Sequence, residues 1–105
     1  MEVLNNDRLL AVSVTETIKE GKRGSIYECA RKWWPVKLDK ARKVDYVLAV
    51  NKSIVVGVFK PTQWIDSTNP AWPERYEFIG TEVHDSPYLN QYLRMYFGMK
   101  YLGEF

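Results

Sequence analysis

The sequence predicts an α+β fold, a small mixed β-barrel with one or two covering helices. Three observations carry this expectation. Short runs rich in Val, Ile and aromatic residues recur along the chain, at residues 9–15, 46–50, 54–59 and 75–83. Helical patterning is confined to brief stretches between and after them. Finally, 105 residues at 46% hydrophobic content suffice for one core but not two, so residues 1–105 are expected to form a single compact domain. An open three-layer α/β fold would need more crossover helices than these stretches supply.

Each element has its own justification. Residues 9–15 (LLAVSVT) are β-rich with polar flanks, as a first strand should be. Residues 17–24 hold two glycines and read as a flexible basic connection. Ser25 has N-cap chemistry, Glu28 stands at the N3 position of a capping box, and Ile26, Cys29, Ala30 and Trp33 recur at helical spacing. A helix over residues 26–34, stopped by Pro35, is therefore expected. Residues 38–44 suit one or two further turns that place Leu38 and Ala41 inward and Lys37, Lys40, Arg42 and Lys43 elsewhere.

Residues 46–50 and 54–59 form the clearest pair, a hairpin around the polar break Asn51, Lys52 and Ser53. Pro61 is expected to end the second strand, leaving residues 62–74 as a long irregular loop that carries Trp64 and Trp72. Residues 75–83 (RYEFIGTEV) return to strand with a bulge at Gly80. Ser86 and Pro87 suit the start of a short helix over residues 88–95, and residues 99–105 suit a final edge strand or extended segment.

Charge is unevenly distributed. Nine Lys or Arg residues face three acids between residues 19 and 43, about +6 in a chain whose net charge is +2. From residue 62 to the end, three basic residues face six acidic ones. Such a field steers anionic partners, and the tandem Trp33-Trp34 places aromatic planes within it.

The familiar catalytic and metal constellations are missing. His84 is the sole histidine, which disfavours His-rich zinc sites, and the His84-Asp85-Ser86 run has triad composition without triad geometry. Gly21-Lys22-Arg23-Gly24 lacks the strand–loop–helix frame of a phosphate loop. Glu74, Glu77, Glu82 and Asp85 show no convergent spacing, and Glu77, between Tyr76 and Phe78, is expected on the solvent face of an alternating strand. No catalytic residue, metal or cofactor is assigned, and a non-enzymatic role is favoured.

Cys29 is the only cysteine, which excludes an internal disulfide and reads as a buried structural thiol in a cytoplasmic protein. The polar opening, residues 1–7, does not read as a secretory leader, and no apolar run approaches the roughly 18 residues of a membrane span.

Trp33 aligns with the apolar face of the expected helix and is assigned to the core, whereas Trp34 diverges from it toward a junction or cleft. The candidate nucleic-acid contacts are Arg31, Lys32, Arg42 and Lys43 for phosphates, with Trp34, Tyr46 and Trp64 as stacking or pocket walls.

Residues 25–64 (SIYECARKWWPVKLDKARKVDYVLAVNKSIVVGVFKPTQW), with RYEFIG at residues 75–80, resemble a family of small uncharacterised prokaryotic domains. Tyr27, Glu28, Ala30, Arg31 and Trp34 match its helix pattern, and Tyr46, Leu48, Ala49, Val50, Val55 and Val58 match its strand pair. Trp64, Arg75, Phe78 and Gly80 match later positions, and residues 96–100 are a weaker match to its closing segment. Members are similar to PUA-like barrels, a superfamily that includes modified-base readers and RNA-binding modules, so the resemblance implies a barrel with a cleft. Where the family has a Thr-Arg-Gly step, this chain has Ala30-Arg31-Lys32, which puts a glycine-dependent turn there in doubt.

Two functional readings follow. In the first, the chain is a non-enzymatic module that binds DNA or RNA and reads a base in a cleft. In the second, it is a structural or protein-interaction domain whose C-terminal aromatic segment, with Tyr92, Tyr96, Phe97 and Tyr101, meets a protein partner or another copy.

Overall fold

A computed structural model describes all of residues 1–105. The strands β1 (Leu9–Ser13), β2 (Tyr46–Asn51), β3 (Ile54–Asp66), β4 (Tyr76–Glu82) and β5 (Met99–Leu102) form one sheet in the order β4-β3-β2-β1-β5. β1 and β2 run parallel, and all other neighbours are antiparallel. Three short helices, α1 (Thr15–Glu20), α2 (Ile26–Ala30) and α3 (Leu38–Ala41), occupy the connection from β1 to β2. The fold is α+β, as the sequence predicts. The sheet, however, is open: β4 and β5 are its edges and do not pair with each other, so the expected closure into a barrel is not formed. No helix is long and apolar enough to cross a membrane.

Alternation along the strands sends side chains into two cores. Leu10, Val12, Val47, Ala49, Phe59 and Phe78 pack with Cys29, Ala30, Val36 and Ala41 from the helical connection. Leu9, Ala11, Leu48, Val50, Val55 and Val58 face the opposite way, against Tyr88, Leu93 and Met95 from the segment that precedes β5. A sheet covered on both faces needs apolar residues at successive positions, which is why β1 and β2 read as continuous hydrophobic runs. Rings dominate the helix-side core: Tyr27 lies 5.4 Å from Phe59, Phe59 lies 6.3 Å from Phe78, and Phe78 lies 5.4 Å from Trp64. Each such pair adds about 0.5–1.5 kcal/mol beyond the area it buries.

Several local expectations hold. Ser25 caps α2, its Oγ accepting the Glu28 N–H at 3.1 Å. Lys52 and Ser53 both take positive φ, as a two-residue hairpin loop between the paired Asn51 and Ile54 requires. The last strand does form, at the edge.

Others are corrected, in each case by a long-range backbone partner or a local cap. Residues 15–20 are helical, with Gly21 closing the helix in the left-handed conformation (φ 69°), where a flexible connection was expected. α2 ends at Ala30, four residues early, because the chain beyond it pairs with β4: the Phe78 N–H donates to the Arg31 carbonyl, and Trp34 and Tyr76 exchange two backbone bonds. β3 runs past Pro61 to Asp66, since a bulge between Pro61 and Gln63 absorbs the proline. The bulge is thus in β3, opposite Gly80 rather than at it. A Cβ on Gly80 would collide with the Lys60 carbonyl oxygen, and the Gly80 N–H donates to the Tyr27 hydroxyl at 3.0 Å. Residues 88–95 are not helical. They lie along the hairpin instead, the Leu93 N–H donating to the Ser53 carbonyl and the Asn90 N–H to that of Val55.

Candidate functional site

Glu77 is the residue that the sequence pattern misplaces most. It is fully buried rather than solvated. Its Oε2 accepts from Arg31 Nη1 at 2.6 Å, and its Oε1 accepts the Thr68 backbone N–H at 2.8 Å and Trp33 Nε1 at 3.3 Å. Burial alone would raise the Glu77 carboxyl, but hydrogen bonds from Thr68 and the charge of Arg31 outweigh it and hold the group below its ordinary 4.5. Arg31 shows the mirror image: burial would lower it, yet Glu28 and Glu77 together raise it. The partners Arg31 and Glu77 stand 46 positions apart, so no local pattern announces them.

This ion pair anchors an aromatic surface. Trp33 packs tilted against Trp72 at 6.1 Å, with the Arg23 guanidinium 4.7 Å from the Trp33 ring and the Arg75 guanidinium 4.5 Å from the Trp72 ring. Lys32 sits 5.3 Å from the Trp33 ring and 3.5 Å from Glu28. Trp72 remains 40% exposed.

A second feature is a cleft of about 400 Å³ between the end of α3 and the bulged part of β3. Ala41, Arg42 and Val44 form one wall and residues 61–64 the other, with no acid among them. Arg42 is exposed and Trp64 only 9% exposed. The Trp64 indole N–H is buried without an acceptor.

The seven sequence-predicted contacts separate in space. Arg42 and Trp64 share the cleft, and Lys43 is exposed beside Arg42 in the chain. Arg31 is committed to Glu28 and Glu77, and Lys32 lies over Trp33. Trp33 leaves the core expected of it, while Trp34 fills a junction of the kind expected of it. Trp34 packs against the helix-side core and donates Nε1–H to the Ala30 carbonyl at 2.7 Å, whereas Trp33 carries the outer aromatic surface. Tyr46 belongs to the opposite core, with Lys60 5.2 Å from its ring.

Elsewhere, the buried Cys29 thiol is pushed up by its burial. His84 is exposed beside Glu82. Tyr92 (56% exposed), Tyr96 (55%) and Phe97 (81%) leave rings in solvent, while Tyr101 is half-buried against Phe105 and beneath Lys40. Comparison of the chain with protein-family models, with characterised proteins and with solved structures finds no match.

Proposed function

We propose that the chain is a non-enzymatic nucleic-acid-binding module that reads a base in the cleft between α3 and β3. One observation carries the reading: Arg42 and Trp64, far apart in sequence, line a single cleft that has no carboxylate in its wall. A guanidinium at the rim suits a phosphate oxygen, and the Trp64 side chain gives the cleft an aromatic wall for a base. Residues 25–64 and 75–80 also resemble a family of small prokaryotic domains that are similar to PUA-like barrels, although the sheet of this chain is open.

The test is equilibrium anisotropy with fluorescent single-stranded DNA, duplex DNA and RNA across a salt series. Saturable binding is expected, with log affinity falling linearly against log salt, and Arg42→Ala is expected to flatten the slope by about 0.7–0.9. Absence of binding at low salt overturns the proposal.

A second reading rests on the exposed rings of Tyr92, Tyr96 and Phe97, which suit a protein partner or a second copy. Sedimentation velocity over a concentration series tests the second copy: association lost in Phe97→Ser supports it, and a monomer at all concentrations removes it.

A further inference from the structure

We infer that Trp33 and Trp72, flanked by Arg23 and Arg75, form a stacking platform for single-stranded nucleic acid, separate from the cleft. The inference rests on the nucleic-acid reading and extends it to four residues outside the seven candidate contacts. Three features support it.

The first is unneutralised charge. Every acid–base contact of the molecule involves Arg31, Lys32 or His84, so Arg23 and Arg75 have no carboxylate partner. Their guanidiniums are held by backbone carbonyls, Arg23 Nη1 by Lys32 at 2.7 Å and Arg75 Nη1 by Trp33 at 3.4 Å. Carbonyl contacts fix their direction and leave the charge for an anion. Glu74 precedes Arg75 in the chain but is exposed and pairs with nothing.

The second is an available ring. Trp72 meets the Trp33 ring at 6.1 Å and the Arg75 guanidinium at 4.5 Å and still exposes 40% of its surface, and exposed aromatic surface beside cations is what a base stacks on. A planar ring with a phosphate beside it matches this arrangement better than an acidic peptide, which would use the cations and leave the indole uncovered.

The third is preorganisation. The loop between β3 and β4 is tied to itself: the Trp72 N–H donates to the Asn69 carbonyl, the Asn69 N–H to Ser67 Oγ, and the Ser67 N–H to the Arg75 carbonyl. Glu77 holds the Thr68 N–H and the Trp33 indole together. A surface already ordered avoids the entropic cost of ordering on binding. Thr68, whose Oγ1 accepts the Trp33 indole N–H at 3.3 Å, stands four positions beyond Trp64 of the cleft.

The experiment compares a fluorescein-labelled oligothymidylate with an abasic strand of the same length. Trp72→Ala is expected to weaken the oligothymidylate by about 5- to 150-fold and the abasic strand little, with Trp72→Phe restoring most of the loss. Arg23→Ala is expected to weaken both strands and flatten the salt slope by about 0.7. Equal losses on both strands in Trp72→Ala, no loss on either, or Trp72-dependent binding of polyglutamate as tight as that of the oligothymidylate overturns the platform. If Trp72→Ala acts and Arg42→Ala does not, the cleft reading falls and the platform stands. The reverse pattern removes the platform and keeps the cleft. A protein that binds neither strand at low salt removes both.

Discussion

Arg31 and Glu77 meet at 2.6 Å, Nη1 to Oε2, and that contact joins the end of α2 to an edge strand of the sheet. The carboxylate is fully buried, whereas the guanidinium retains a fifth of its side-chain exposure. Glu77 therefore depends on Arg31 more than Arg31 depends on Glu77.

The asymmetry predicts unequal substitutions. Arg31→Ala strands a buried carboxylate and is expected to cost about 3–5 kcal/mol, as breaking one side of a buried pair does. Glu77→Gln keeps an acceptor for Thr68 and Trp33 while removing the charge, and is expected to cost less. Urea denaturation of both variants checks the order. Arg31→Ala as stable as Glu77→Gln would show that the pair is not what secures this edge.

The same carboxyl sets an acid limit. Its folded value lies below the unfolded 4.5, so its contribution is complete above that pH and is lost as pH falls through the folded value. The stability gap between the parent and Glu77→Gln is expected to be widest near neutrality and to close below pH 4.5. Urea midpoints measured from pH 7 to pH 3 report it.

Tyr88 sets an alkaline one. Burial, then its hydrogen bond to Asp7, pushes the phenol from 10.0 up to about 12. A group raised in the folded state stabilises fully below pH 10 and loses that contribution as pH rises through about 12. Burial also raises the Tyr101 phenol, so ultraviolet titration is expected to show late tyrosine absorbance that Tyr88→Phe reduces but does not abolish.

Gly80 tests the bulge. An added methyl has no free space against the Lys60 carbonyl, so Gly80→Ala must displace β3 where Pro61 is accommodated. A loss of about 1–3 kcal/mol is expected from such overpacking. Gly24→Ala meets no atom within 4 Å but keeps a positive φ of 85°, and serves as the comparison in which only backbone conformation is perturbed. Thermal unfolding of the two variants separates collision from backbone cost.

The sequence by itself determined what local chemistry controls. Ser25 marks the start of α2 because a hydroxyl at that position satisfies an otherwise orphaned N–H. The hairpin of β2 and β3, the strands β1 and β4, and the apolar inner face of α3 are legible because β-branched and aromatic runs must be buried. Nothing local could show that residues 31–34 leave the helix, since their partners, Tyr76 and Phe78, come from a strand over 40 residues later. That pairing takes Trp33 out of the core expected of it and Glu77 from an expected solvent face into contact with Arg31. Only the tertiary structure decided these placements, because a buried charge is tolerated where its partners arrive together, and folding alone brings them there.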